Sequence, residues 1–335
     1  MRNKVIQVAP TGWESDPENE YLKLSTLDYC VGQVFVNYAL FFKLSDDDKP
    51  KTIPVLKRGL EITLSQCRQL CGTLEPHPDG GLAFHKKCES TVEFHVQWLD
   101  GPDDEGKHPS FDDLEKRHFV SQALGDINTW CVAPMTYGEK PEAMPKSRPK
   151  APAFKATFIR GGLVFMMHHH HYANDVMGWA GTLHQLAKNC AATWESPENP
   201  ALPPWDPACL DLSRHHRGTL ITKRKPLDLN LRRLHGPDLA LLTKHRAKLF
   251  NPDPTQPLLW GEAVDLRRRF RDPPVPERAQ GNMVGVALSI HMHDAVPPPT
   301  VAEVISEAPL SKLAWYIRQL TSSVTEPAPD RRGGE

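Results

Sequence analysis

The sequence predicts an α/β fold, because strand-like and helix-like segments alternate along the chain. Residues 33–44 are rich in Val, Phe and Tyr, which is typical of a buried strand. Within residues 53–71, apolar side chains recur every three or four positions and define one face of a helix. Residues 163–194 combine a strand, a tight polar turn and an amphipathic helix. A length of 335 residues is compatible with two domains or with one large domain.

Three further elements are predicted after the helix at residues 53–71. Residues 77–84 predict a hairpin, since Asp79-Gly80 can adopt the positive φ angles of a tight turn. Residues 90–100 alternate between apolar and polar side chains, as a half-buried strand does. The polar residues 101–113 predict a loop.

The segment 153–194 predicts two strands and a helix. The two strands flank a two-residue turn at Gly161-Gly162. Asp175 lies directly before the helix, where a carboxylate can accept hydrogen bonds from free backbone N–H groups. The apolar face of this helix is formed by Trp179, Ala180, Leu183, Leu186, Ala187, Cys190 and Trp194.

The last third of the chain is less periodic. Residues 197–237 are rich in Pro and Arg and predict a long crossover segment. Strand patterns return at residues 258–270 and 282–293, and residues 304–320 predict a helix. The composition of the final residues is typical of a disordered tail.

Composition argues against several classes of protein. The 40 Lys and Arg residues balance 41 Asp and Glu residues, so the chain lacks the basic excess of a nucleic-acid-binding protein. We find no signal peptide and no apolar run long enough to span a membrane. The 7 cysteines are irregularly spaced, which predicts free thiols in a reduced, cytoplasmic location.

Four consecutive histidines, His168 to His171, are the most conspicuous candidates for chemistry. Because a strand alternates its faces, His169 and His171 should point one way and the other two the opposite way. One hypothesis is a metal site that adds His291 and His293, but no further ligands lie at metal-binding spacing. We therefore predict no metal. Several of these histidines could also be packed side chains without a chemical role.

A third interpretation is the His-x-x-x-Asp pattern of His171 and Asp175. Such a pattern carries little information alone, since His108 and Asp112 also match it. The surroundings differ, because His108 lies in a polar loop whereas His171 ends a predicted buried strand, on a rigid scaffold. The sequence contains no G-x-S-x-G, P-loop or G-x-G-x-x-G motif.

Several segments occur in the order seen in BAHD acyltransferases. They are LSTLDYCVGQ, STVEFHVQWLD, FIRGGLVFMMHHHHYANDVMGWAGTLHQLAKNC, VDLRRRF and QGNMVGVA. Over roughly residues 20–320, the chain resembles the fungal branch that includes trichothecene 3-O-acetyltransferases. The resemblance implies a chloramphenicol-acetyltransferase-like fold, with two α/β domains, a crossover loop and a tunnel between the domains.

The resemblance also implies a function and a site. The function is acyl-CoA-dependent O-acyl transfer, with acetyl as the expected group, to an alcohol of a fungal secondary metabolite. His171 would be the general base in direct transfer without an acyl-enzyme, and acyl-CoA would be a co-substrate rather than a bound cofactor. Asp175 would have a structural role, paired with Arg267, and Asn282 would lie in a loop near the site. A monomer without nucleic-acid or membrane partners is expected.

The chain departs from the family pattern in its second half. It lacks the family's Asp-Phe-Gly-Trp-Gly motif. We expect an N-terminal domain at residues 1–212, a crossover at 213–257, and a partial C-terminal domain with a disordered tail at 258–335. On this basis we expect low activity from the chain as given. The alternatives are a truncated non-catalytic homologue and, on weaker grounds, a His-rich metal-binding protein.

Overall fold

A computed structural model describes most of the chain, namely residues 2–138, 140–198, 200–211, 255, 261–270, 274–288, 300, 302–303, 312 and 315–320. The chain forms two compact units. The first comprises Met1–Gly218 with Pro276–Asn282, and the second comprises Thr219–Val275 with Met283–Glu335. The domain limits expected from the sequence stay a prediction.

Two sheets and four helices make up the described part of the first unit. The strands are β1 (Arg2–Val8), β2 (Asn19–Lys23), β3 (Phe35–Lys43), β4 (Thr73–Pro76), β5 (Leu82–Lys87), β6 (Val92–Trp98), β7 (Pro152–Ile159) and β8 (Gly162–His170). The helices are α1 (Lys49–Gln66), α2 (Phe111–Lys116), α3 (Val176–Glu195) and α4 (Pro207–Leu210).

The larger sheet has five strands in the order β1-β6-β7-β8-β3, and only the β6–β7 pair is parallel. Its central strands β7 and β8 are buried on both faces, which explains their nearly continuous apolar sequence. Along β8, Phe165 and Met167 pack in the core beneath α1 and α3, while Val164 and Met166 pack in a core on the opposite face. This strand ends at the histidine run.

The turn between β7 and β8 differs by one position from the predicted turn. Ile159 pairs with Gly162, so the two turn residues are Arg160 and Gly161. Gly161 has a φ angle of 72°, a left-handed conformation that glycine adopts without a steric cost. Gly162 therefore belongs to β8.

Helix α1 is shifted towards the N-terminus relative to the predicted segment 53–71. It includes Pro50 in its first turn, where the missing N–H has no helical partner to lose. The helix ends at Gln66 because Cys67 has φ −134° and ψ 72°, outside the helical region, and Arg68–Cys71 form a 3-10 turn. Helix α1 packs against α3.

Helix α3 begins where the sequence predicts, with Asp175 as the N-cap. Its side chain accepts a hydrogen bond from the Gly178 backbone N–H at 3.0 Å. Trp179 and Leu186 lie in the core, as expected from the apolar face. The prediction is wrong for Ala187 and Trp194, which are both exposed, Trp194 by 45%.

The smaller sheet has the order β2-β5-β4 and is antiparallel. Residues 77–81 form the turn of the predicted hairpin, but the positive φ angles lie at Gly80 (89°) and Gly81 (80°) and not at Asp79 and Gly80. Strands β1 and β2 are not among the predicted elements, because they expose many of their side chains and are correspondingly polar. The predicted loop at 101–113 ends early, because Ser110 caps helix α2.

In the second unit, β9 (Gly261–Asp265) pairs with β10 (Val284–Leu288) in antiparallel fashion. Residues 315–320 are helical, and Tyr316 and Leu320 pack with Ala287. Most of the predicted crossover, helix and tail lies outside the described residues. Among the described residues, no helix is both long and apolar enough to cross a bilayer. All 7 cysteines are free thiols, as predicted.

Candidate active site

His168 and His170 are buried side chains that fix backbone positions. His168 Nε2 accepts a hydrogen bond from the Val132 N–H at 3.0 Å, and His170 Nε2 lies 2.9 Å from the Ala143 carbonyl oxygen, to which it can donate. His170 Nδ1 accepts from the Tyr172 N–H. Burial lowers the pKa of His168 to about 3 and that of His170 to about 4. Both imidazoles are therefore neutral at physiological pH.

His169 occupies the opposite face of β8, as alternation predicts. Its ring lies over Trp179, with centroids 4.2 Å apart, and stacks on Tyr38 at 5.3 Å. It is 0% exposed, and burial lowers its pKa well below the usual range. Neither ring nitrogen has a hydrogen-bond partner among the described residues. This side chain is a packed aromatic group in the core.

His171 follows the last residue of β8 and differs from its three neighbours in being only partly buried. Its backbone N–H donates to the Val34 carbonyl at 2.9 Å, which ties it to the start of β3. In the part of the chain that the structure describes, Nδ1 is buried without a partner, whereas Nε2 is neither buried nor hydrogen-bonded. One imidazole nitrogen of the four-histidine run is thus accessible on a fixed backbone.

Asn282 fixes the carbonyl side of His171. Its Nδ2 group lies 2.9 Å from the His171 carbonyl oxygen and 3.2 Å from that of Tyr172. The same Nδ2 group donates to Asp28 Oδ1 at 2.9 Å, and the Asn282 backbone N–H also reaches this oxygen. The family resemblance implies that Asn282 lies near the site, and in the structure Asn282 lies beside the backbone of His171. Asp28 was not predicted as a site residue, although it belongs to the segment LSTLD that carries part of the family resemblance.

A second set of hydrogen bonds joins the same two segments. Asn174 Oδ1 accepts from the Gly281 N–H, and Asn174 Nδ2 donates to Gln280 Oε1 at 2.9 Å. Gln280 Nε2 donates to the Gly178 carbonyl at 2.8 Å, so it reaches the first turn of α3. Asn174 and Gln280 are 0% exposed. Sequence reasoning missed both, since they are 106 residues apart and form no local motif.

Asp175 and Arg267 lie in different units. Asp175 is 2% exposed and caps α3, as described above. Arg267 is 1% exposed and lies after β9, where its Nη1 group is 3.0 Å from Asp265 Oδ1. The pairing of Asp175 with Arg267 stays a prediction.

The second His-x-x-x-Asp match has a different environment. His108 lies in the loop before α2, where its backbone carbonyl accepts a hydrogen bond from Arg160. Asp112 is 66% exposed and lies 3.7 Å from Lys43. These two residues are suitable controls for the pair at positions 171 and 175.

No group of three or more potential ligands for a metal ion occurs among the described residues. His169 and His171 have ring centroids 6.4 Å apart. His291 and His293, the other proposed ligands, lie outside the described residues.

Comparison with known proteins identifies the family of this chain. Residues 34–190 match the model of the trichothecene 3-O-acetyltransferase-like N-terminal domain. Acetyltransferase FGR3 of Gibberella zeae is 45% identical over 375 residues, which cover 98% of this chain and 73% of that protein. This chain belongs to the trichothecene 3-O-acetyltransferase-like BAHD family. The resemblance found in the sequence is therefore confirmed, and the chain is an acyltransferase.

Other members and related structures extend this result. Acyltransferase BOA11 of Botryotinia fuckeliana is 30% identical over 220 residues, 59% of this chain and 42% of that protein. The crystal structure of F. graminearum TRI101 complexed with ethyl coenzyme A has a TM-score of 0.65 at 17% identity, covering 92% of this BAHD acyltransferase and 77% of TRI101. Vinorine synthase has a TM-score of 0.54 at 17% identity, covering 98% of this chain and 81% of that one. The predicted fold class is confirmed.

Proposed function

We propose that this acyltransferase moves an acetyl group from acetyl-CoA to a hydroxyl group of a fungal secondary metabolite, with His171 as the general base. The observation that carries the assignment is the contrast within the histidine run. His168, His169 and His170 are fully buried, and burial lowers the pKa of each. Only His171 presents an accessible ring nitrogen.

The relatives support the choice of substrates. FGR3 is named as an acetyltransferase, and the TRI101 structures contain coenzyme A together with T-2 mycotoxin or deoxynivalenol. We assign an alcohol of a fungal secondary metabolite to this chain as its acceptor class. Acetyl-CoA is a co-substrate in this proposal, and the reaction uses no bound cofactor.

The chemistry requires one base in the right place. An alcohol is a weak nucleophile at neutral pH, so its oxygen must lose a proton as it attacks the thioester carbonyl carbon. Nε2 of His171 accepts that proton, and the tetrahedral intermediate carries the negative charge on the former carbonyl oxygen. Collapse of the intermediate breaks the C–S bond, and the imidazolium returns the proton to the departing CoA thiolate. Ester and CoA-SH are the products, and no acyl-enzyme forms.

The remaining site residues hold this base. Asn282 binds the His171 carbonyl, and Asp175 starts the helix that follows. We retain the pairing of Asp175 with Arg267 as part of the proposal. A cytoplasmic location and a monomeric state also remain predictions.

The proposal is tested with radiolabelled acetyl-CoA and a panel of sesquiterpenoid alcohols. We expect label in an ester product, with mass spectrometry of the intact protein during turnover showing no acetylated enzyme. Initial velocities should fit a mechanism in which both substrates bind before any product leaves. A stable acetyl-protein that passes its label to the alcohol would contradict direct transfer. Failure with every alcohol, under conditions where FGR3 is active on its own acceptor, would contradict the assigned acceptor class.

A further inference from the structure

Asp28 is a buried carboxylate at the start of a short 3-10 turn, Asp28–Cys30, and is 6% exposed. Its Oδ2 atom accepts hydrogen bonds from the Ser25 backbone N–H at 2.7 Å and from the Ser25 hydroxyl at 2.8 Å. Its Oδ1 atom accepts from both the backbone N–H and the side-chain amide of Asn282. A buried carboxylate is stable when it accepts several such hydrogen bonds, and Asp28 accepts four.

These hydrogen bonds determine the orientation of the Asn282 amide. Three oxygen atoms surround its Nδ2 group, from Asp28, His171 and Tyr172. The opposite orientation would place Oδ1 against three acceptors and would lose every one of these hydrogen bonds. Asp28 therefore holds the amide in the orientation that donates to the His171 carbonyl.

The same chain contains a local copy of the Ser25–Asp28 arrangement without this link. Asp113 Oδ2 accepts from the Ser110 N–H at 3.0 Å and from the Ser110 hydroxyl at 2.7 Å. In both cases the aspartate N–H also lies within 3.3 Å of the serine hydroxyl. Asp113 is exposed and is the third residue of α2, where it completes a capping box with the N-cap Ser110. What distinguishes Asp28 is its contact with Asn282, 254 residues away in sequence.

We propose that Asp28 is a positioning residue for acyl transfer, which acts on His171 through Asn282. The inference rests on the proposed role of His171 as the base. The His171 backbone is held on one side by the Val34 carbonyl and on the other by Asn282. Loss of Asp28 removes two of the hydrogen bonds that Asn282 donates, one from its backbone and one from its amide, and leaves the amide held only by the His171 and Tyr172 carbonyls. The donor to the peptide after His171 is then less firmly fixed, and the imidazole is less firmly held in attack geometry.

The expected effect is on kcat rather than on substrate binding. Displacement of a catalytic group by about 1 Å can reduce turnover about a hundredfold. We expect Asp28→Ala to lower kcat by about tenfold to a hundredfold, with a change of less than about threefold in the KM for acetyl-CoA. Asp28→Asn keeps an oxygen that can accept from Asn282 and should recover part of this loss.

The experiment compares Asp28→Ala, Asp28→Asn, Asn282→Ala, the double variant Asp28→Ala/Asn282→Ala and the control Asp113→Ala. kcat and KM are measured per mole of folded protein, and Tm is measured for each. If Asp28 acts through Asn282, the double variant loses no more activity than the worse single variant. Asp113→Ala should keep wild-type kcat, although it removes the same local hydrogen bonds.

Three results would overturn the inference. The first is a wild-type kcat for Asp28→Ala. The second is a double variant whose kcat falls by the product of the two single-variant factors. The third is an equal decrease in kcat for Asp28→Ala and Asp113→Ala. If Asp28→Ala does not fold, Asp28→Asn and Asn282→Ala still test the link, because wild-type kcat in both would refute it. His171→Ala is measured in parallel. If it retains wild-type kcat, the proposed base is wrong. If it is inactive while Asp28→Ala is unaffected, only the present inference fails.

Discussion

The buried histidines should make the protein sensitive to acid well before its carboxylates are protonated. His168 and His170 are both 0% exposed, with pKa values of about 3 and about 4 in the folded protein. In the unfolded chain each should titrate near the ordinary histidine value of about 6.5. Between these values the unfolded state binds more protons than the folded state, so acid favours unfolding.

The size of this acid destabilisation follows from the difference between the histidine pKa values in the folded and the unfolded protein. The stabilisation is fully present above about pH 6.5 and is lost as the pH falls towards the folded-state values. A pH of 5 is about 1.5 units below the histidine pKa of the unfolded chain, and each unit corresponds to about 1.4 kcal/mol. Each histidine should therefore lower the free energy of unfolding by about 2 kcal/mol at pH 5. Together they should lower the free energy of unfolding by about 4 kcal/mol between pH 7 and pH 5. His169 acts in the same direction.

The assay is urea denaturation at pH 7 and pH 5, for the wild type and His168→Gln. Glutamine places an acceptor close to the position of the histidine Nε2 atom, so the hydrogen bond from Val132 can persist. Between pH 7 and pH 5, the free energy of unfolding should fall by about 2 kcal/mol less in this variant than in the wild type. His184→Gln, on an exposed position of α3, is the matched control and should behave like the wild type. An equal decrease in the free energy of unfolding between pH 7 and pH 5 in the wild type and in His168→Gln would show that protonation of His168 does not cause the acid sensitivity.

Two further predictions concern the segment after His171. Asp175→Asn keeps a good N-cap for α3 but removes the charge, so it should lower Tm and activity if Asp175 pairs with a cation, as the family resemblance implies for Arg267. An unchanged Tm with a large loss of kcat would instead mean that Asp175 orients His171. Gly178→Ala would place a Cβ atom 2.2 Å from Asn174 Oδ1 and should lower both Tm and kcat, measured by thermal unfolding and steady-state kinetics. Wild-type values for both would show that Asn174 can move without consequence.

Local patterns in the sequence were sufficient for the central part of the first unit. Strands β7 and β8, helix α3 and its N-cap Asp175 all follow from burial, periodicity and capping. The same reasoning placed His171 directly after a buried strand. Strand β1 was not predicted. It lies at the edge of the sheet and exposes most of its side chains, so its sequence lacks the apolar content of a central strand.

The hydrogen bonds around the site could not be predicted from spacing. Asp28 and Asn282 are 254 residues apart, and Asn282 and His171 are 111 residues apart. Side chains such as Asn174 and Gln280 are usually surface residues, and only the folded chain shows that they are buried and paired. The resemblance to the family brought Asn282 to attention, but it gave no partner for its amide.

In the proposed reaction, His171 removes the proton from the acceptor alcohol. The most direct measurement is kcat with acetyl-CoA and one accepted alcohol, for His171→Ala beside His108→Ala. The His171 hydrogen bonds to Val34 and Asn282 use its backbone atoms, so the alanine variant can keep them and remain folded. We predict that His171→Ala lowers kcat by about two to four orders of magnitude, while His108→Ala stays within about twofold of the wild type. Equal effects from the two substitutions, or wild-type kcat for His171→Ala, would contradict the account.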